Sequence, residues 1–308
     1  MSWRAGNRVG RSVGVVCALA VAAMAFGAGP GQAEAAPVGA PTPRLYWTLG
    51  ATGAHRISSA NLDGSNLDQT RLALPTGLGA VRITATDHHI YWAGYDQIKD
   101  DTEIGMARLD GSHPRHLLRV DGDVSGMVVR GRLLFLATGE GLDLVRLGSH
   151  RRPRQLVHEI GLVDVAVGKG RIYWCNYGLA PVPDSIHSAN LDGTHRRRYA
   201  IPDLHSPGSL LLAGGFLYWG NTETQTTIGR IKTDGTEVEP SFLTIDGFAV
   251  GLAWHESALY WASSSLGRPG ALNEIGFEEL TSEGSPIETP GTVLSIPGDQ
   301  PPYSLALR

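Results

Sequence analysis

Apolar residues in this chain cluster on consecutive positions instead of alternating. Leu45-Tyr46-Trp47, Ile172-Tyr173-Trp174 and Leu259-Tyr260-Trp261 are three such runs. Successive side chains of a strand point to opposite faces, so these runs predict strands buried on both sides. The Tyr-Trp pair recurs at 46–47, 91–92, 173–174, 218–219 and 260–261. In the one wide gap, Leu133-Leu134-Phe135 follows Gly131-Arg132 as Ile172-Tyr173-Trp174 follows Gly170-Arg171. Counting Leu134 as the sixth copy, the spacings are 45, 43, 39, 45 and 42 residues. Units of about 40–45 residues have the length of a four-stranded propeller blade.

Each unit repeats the same order of parts. A first apolar stretch precedes the Tyr-Trp strand: Val81–Ala85, Val124–Val129, Leu162–Val167, Ser209–Ala213 and Val250–Trp254. A variable loop leads to a third strand that ends on a turn, at Asp63-Gly64, Asp110-Gly111, Gly148-Ser149, Asp192-Gly193 and Asp234-Gly235, with Glu283-Gly284 the weakest match. Asp-Gly between apolar runs signals a hairpin, because glycine accepts the positive φ of the turn. A short fourth strand follows, as at Arg71–Leu74 and Phe242–Thr244. Unit one lacks a leading strand, and the closing segment Tyr303-Ser304-Leu305-Ala306-Leu307 looks like Val250-Gly251-Leu252-Ala253-Trp254. The expected fold is all-β: a six-bladed β-propeller with four-stranded blades, its ring closed when the C-terminal strand joins blade one.

The first residues read differently. Arg4, Arg8 and Arg11 precede an uncharged apolar run, Val13 to Ala28, and Ala33-Glu34-Ala35 fits a small-residue cleavage site. The expected organisation is a signal peptide over 1–35, a Pro-rich linker over 36–43 and the propeller over 44–308. Cleavage removes three Arg and Glu34, leaving 23 basic and 29 acidic residues, so the net charge moves from −4 to −6. Cys175 then stands alone and forms no disulfide within the chain. After residue 36 no apolar run is long enough to span a bilayer. The expected location is extracytoplasmic or secreted, with no transmembrane segment in the mature chain.

At the Tyr-Trp and Leu-Asp-Gly positions the chain resembles the YWTD repeats of the low-density lipoprotein receptor family, over nearly all of its mature length. The resemblance implies a six-bladed propeller that acts in protein recognition without catalysis. The signal-peptide style and the absence of disulfides point to a free-standing secreted relative. The motif's Asp is replaced in all six copies, by Leu49, Gly94, Ala137, Asn176, Asn221 and Ser263.

Catalytic signatures are sparse. His255-Glu256 begins like H-E-x-x-H, but Leu259 stands where the second histidine belongs. Asp121-Gly122-Asp123 lacks the further ligands of a calcium loop. No cofactor is expected, and spacing alone leaves a metal at the axis open. Two surfaces stand out instead. Tyr95, Asp96, Asn176, Tyr177 and Asn221 fall where the second strand meets its loop, and aromatics among acids on a rigid rim suit recognition. Arg115, then Arg151, Arg152 and Arg154, then Arg196, Arg197 and Arg198 follow the hairpin turns of blades two, three and four. Blades one, five and six carry neutral or acidic residues there. The expected role is a non-catalytic recognition module for a protein or an anionic envelope polymer. Nucleic acid is disfavoured, since no stacking aromatics interleave with the arginines. The alternative is an axis-centred enzyme, a metal-dependent lactonase or hydrolase, or a lyase.

Overall fold

The computed structural model describes residues 42–49, 56–149, 152–178, 183–222, 226–265, 273–296 and 301–308. The expected signal peptide, the linker up to residue 41, and Arg151 lie outside the described residues. Among those described there is no helix, and the strands form six four-stranded antiparallel sheets. Five are sequential meanders. The sixth is blade one, in the order Pro302–Leu307, Arg44–Leu49, Arg56–Asn61 and Asp68–Ala73. The C-terminal strand therefore closes the ring, with Leu45 opposite Leu307 and Trp47 opposite Leu305.

The consecutive apolar runs are buried on both faces because blades stack face to face. Trp174, Trp219, Trp261, Tyr46, Tyr173 and Tyr218 are among the largest fully buried side chains, and Phe135 fills the same place in blade three. Each indole needs room on the neighbouring strand. Trp92, Trp219 and Trp261 stand opposite Gly105, Gly229 and Gly276 on the third strands. A Cβ built at any of the three would fall within 3.0 Å of the ring it faces. In blade four the opposite residue is His187, whose ring stacks on Trp174 at 5.4 Å.

The third-to-fourth-strand turns of blades one, two, four and five share one construction. Asp63, Asp110, Asp192 and Asp234 each accept the backbone N–H two residues on, at 2.9–3.0 Å. Asp63, Asp192 and Asp234 also accept the hydroxyl of that residue at 2.6 Å. These bonds to the ionised form hold the carboxyls below the ordinary aspartate value. The weakest sequence match obeys the same plan: Gly284 N donates to Thr281 O at 2.8 Å, as Gly64 N donates to Asn61 O at 3.0 Å.

The six innermost strands, Leu78–Ala85, Val124–Arg130, Leu162–Gly168, Pro207–Ala213, Phe248–His255 and Pro302–Leu307, surround the axis. All six pairings with the second strand carry an irregularity near the start of the inner strand. Such bulges re-aim side chains and sharpen strand twist. One repeat position then forms a ring: Arg82, Met127, Asp164, Ser209, Gly251 and Ser304 face Ala93, Leu136, Cys175, Gly220, Ala262 and Thr48.

Candidate functional site

In an antiparallel meander the first-to-second and third-to-fourth connections emerge at one end of the sheet. They make one face of the propeller, and the remaining connections make the other. The residues singled out from the sequence divide between these faces.

On the second-to-third face the strands run further than their residue types suggest. In blade two the second strand continues to Asp96, so Tyr95 pairs with Thr102 and Asp96 with Asp101. Asp96 is buried, accepts the N–H groups of Ile98 at 3.1 Å and Lys99 at 3.3 Å, and pairs with the Lys99 ammonium. The Tyr95 hydroxyl donates to Asp100 at 2.6 Å. Asn176 and Asn221 are buried inside their blades. Asn176 Nδ2 donates to Glu159 at 2.7 Å, and its Oδ1 accepts the Ser185 hydroxyl. Asn221 accepts the Trp219 indole N–H at 3.1 Å and donates to Thr227 at 2.8 Å and to the Pro240 carbonyl at 3.2 Å. Both amides brace their blades from within. Tyr177 is exposed.

Losing Asn221 removes three hydrogen bonds at once and leaves the Trp219 indole N–H buried without an acceptor. Asn221→Ala is expected to destabilise by about 2–4 kcal/mol, read as a shift of the urea midpoint with unchanged slope. A midpoint within error of wild type would refute this bracing role.

The Asn176 network contains a serine, a histidine and a glutamate, yet it is not a relay. One nitrogen, His187 Nε2, faces both Ser185 Oγ at 2.9 Å and Glu159 Oε1 at 3.7 Å. A nucleophilic triad needs the acid on the opposite ring nitrogen. The Glu159 carboxylate instead accepts the Trp174 indole N–H at 3.2 Å. Burial lowers the His187 pKa, against the pull of Glu159. Among the described residues, no group of three or more His, Cys, Asp or Glu side chains converges as a metal site.

The turn face carries the charge. Arg115, Arg152, Arg154, Arg196, Arg197 and Arg198 are all exposed. Among the described residues none of the six pairs with a carboxylate. Their contacts are neutral: Arg115 Nη2 to Met106 Sδ at 3.1 Å, Arg196 Nη2 to Leu156 O at 3.3 Å, and Arg198 Nη2 to Asp184 O at 3.4 Å. Arg197 differs, because its Nη2 donates to Asp234 O at 2.6 Å and it stacks over Tyr199, tying blade four to blade five. Arg152, however, borders a groove that reaches the other face and holds Asp100, Asp121, Asp123, Glu140 and Asp143. Arg198 likewise reaches towards Asp184 at that end, so the turn-face cations of the expected set are Arg115, Arg154, Arg196 and Arg197.

The structure enlarges this sector. Arg130 and Arg132 in blade three and Lys169 in blade four flank the first-to-second turns of the same face, and Arg108 and Arg146 precede the hairpin turns; all five are exposed. Across blades five and six the equivalent positions hold exposed Asp234, Glu237, Glu256, Glu279, Glu283 and Glu288. On this face exposed Arg and Lys outnumber the exposed Asp87, Asp110 and Asp192 over blades two to four, while carboxylates predominate over blades five and six. Simple topology exposes this: alternate connections share an end, so arginines far apart in sequence meet on one surface.

No family model matches the chain. Solved structures share its fold. The structure of the nidogen/laminin complex aligns with a TM-score of 0.67 at 16% identity, covering 86% of this chain and 98% of that one. TolB from Acinetobacter baumannii aligns at 0.64 and 11% identity, over 87% of this chain and 67% of that one. A quinoprotein alcohol dehydrogenase-like protein from Bacteroides thetaiotaomicron gives 0.53 and 13%, over 85% and 77%. At such identities the likeness establishes the fold alone, a six-bladed β-propeller. Among the described residues no helix is long and apolar enough to cross a membrane.

Proposed function

We propose that this chain is an exported, non-catalytic recognition module whose basic turn-face sector holds an anionic polymer of the cell envelope. The observation that carries this reading is the excess of exposed cations over carboxylates on the turn face of blades two to four. Rim guanidinia on three neighbouring blades lack a carboxylate partner among the described residues, on a chain whose net charge is −4. Ion pairing would normally quench such a cluster in an acidic protein. A fixed field of one sign raises the local concentration of an opposite polyelectrolyte and speeds its capture. The propeller supports this, since the turns of blades two and four are held by Asp110 and Asp192, so little loop entropy is lost there on binding. The fold-sharing structure of nidogen with laminin offers a precedent for a propeller of this size in a macromolecular complex.

The test is retention on a dextran sulfate column in a salt gradient. Arg115, Arg130, Arg132 and Arg154 are changed together to serine, and Arg196 and Arg197 are left alone because each bonds to a neighbouring blade. The quadruple variant is expected to elute at clearly lower salt than wild type, while the matching lysine variant elutes with wild type. Equal elution of wild-type and serine proteins would overturn the reading.

A further inference from the structure

The axial channel raises a separate possibility, independent of the turn face. We infer that it binds a small amphipathic zwitterion, of the class of α-amino acids with an aliphatic side chain. The innermost strands line a half-open cavity of about 330 Å³. This lies at the lower end of the roughly 300–1,000 Å³ of ligand pockets, which suits a small occupant. Apolar side chains such as Leu211 and Val250 line it together with exposed polar backbone, and among the described lining residues Arg82 and Asp164 are the ionisable ones. They occupy the same ring position in blades two and four.

The two charges lie in each other's field without meeting. No ion pair joins them. Arg82 Nη1 donates to the Tyr303 carbonyl at 3.3 Å, its guanidinium lies 4.4 Å over the Tyr303 ring, and its buried Nε has no partner. Asp164 accepts the N–H of Val165 at 2.8 Å and that of Leu210 at 2.9 Å, one on each carboxylate oxygen. Each oxygen therefore keeps a free lone pair. Separate, backbone-anchored charges of opposite sign on a half-open channel offer partners to a complementary pair of charges. A ligand carboxylate satisfies Arg82, its ammonium satisfies Asp164, and its side chain meets the aliphatic wall. An alkyl carboxylate or an alkylamine alone would leave one charge uncompensated.

Ionisation of Asp164 supplies a second handle. Burial raises its pKa to about 6, against the pull of Arg82 and the two backbone N–H groups. The neighbouring Cys175 thiol is pushed up by burial and stays neutral. Asp123 shares the field of Arg82 and is also raised by burial. Protonating Asp164 removes the charge that holds the ammonium, so affinity for the zwitterion should be flat above neutral pH and fall as pH drops through about 6.

The experiment is titration calorimetry of the full chain with L-leucine, 4-methylpentanoate and isoamylamine across this pH range. Saturable heat for L-leucine, at least about tenfold tighter than for either single-charge analogue at neutral pH, is expected. Asp164→Asn should abolish the preference for leucine over 4-methylpentanoate, and the analogue comparison on wild type carries the test if that variant misfolds. No saturable binding of leucine at millimolar concentration would overturn the inference. Equal affinity for 4-methylpentanoate would do so too, by showing that the channel reads a carboxylate and not a zwitterion.

Discussion

Deleting Pro302–Arg308 should abolish the single cooperative unfolding transition of the propeller. The removed segment is the innermost strand of blade one, paired along Arg44–Leu49. Leu305 and Ala306 are buried in it and contribute to separate core clusters. Ser304 accepts the Ile83 N–H of blade two at 3.2 Å, and Arg308 pairs with Asp87 in the first turn of that blade. Without the segment, blade one exposes an unpaired edge to the axis and the ring opens between blades six and two. Lost burial and strand hydrogen bonds together amount to about 5–10 kcal/mol, comparable with the roughly 5–15 kcal/mol that separates folded from unfolded domains. Tryptophan fluorescence against urea should show a broad, early loss for the truncated chain. A synthetic peptide of residues 301–308 added in trans should restore part of the transition. A truncated protein with the wild-type midpoint and slope would show that the ring does not depend on its closing strand.

The same closing strand was readable in the sequence, because Tyr303–Leu307 repeats the pattern of a leading strand at the place where unit one lacks its own. Blade number and turn positions were readable for a similar reason: Tyr-Trp and Asp-Gly are forced by burial on two faces and by positive φ, and both constraints act locally. The loop-face residues were harder. Asn176 and Asn221 follow the aromatic pair and look like the start of a loop, yet each is the last residue of a buried strand. Their polarity serves a tryptophan: the Trp219 indole N–H meets Asn221, whereas those of Trp92 and Trp261, followed by Gly94 and Ser263 at the motif position, lack a partner. The exchange of Asp for Asn in the motif is thus visible in sequence, and its meaning is visible only with the indole in place. The basic sector was half readable. Adjacent arginines such as Arg196–Arg198 announce themselves, while Arg130, Arg132 and Lys169 join them only once alternate turns are assigned to one face. Arg82 and Asp164 gave no signal alone, being single charges in apolar stretches. Aligning the repeats on Tyr-Trp places them at one position, which is the signal that could have found them.

The glycines opposite the tryptophans should be the least replaceable residues on the third strands. Gly229 lies opposite Trp219, and an added Cβ would fall within 3.0 Å of the indole and of the Pro240 carbonyl. The neighbours cannot yield: Trp219 is fully buried and held by its bond to Asn221, and Pro240 O already accepts from the same amide. Gly229→Val must therefore displace a packed indole or part the third and fourth strands of blade five. Overpacking of a rigid core costs about 1–3 kcal/mol, and loss of the Trp219 contacts adds about 3–5 kcal/mol if the ring is expelled. The expected result is a loss of at least about 3 kcal/mol, with a quenched and red-shifted tryptophan emission reporting the displaced ring. Valine is the better strand former, so intrinsic propensity alone would forecast a gain. The two arguments give opposite signs, and the urea midpoint of this one variant decides between them. A partial rescue by Trp219→Leu in the same chain would trace the loss to the indole. If the double variant is no more stable than Gly229→Val alone, the collision is with the Pro240 carbonyl instead, and the indole is not the reason for glycine.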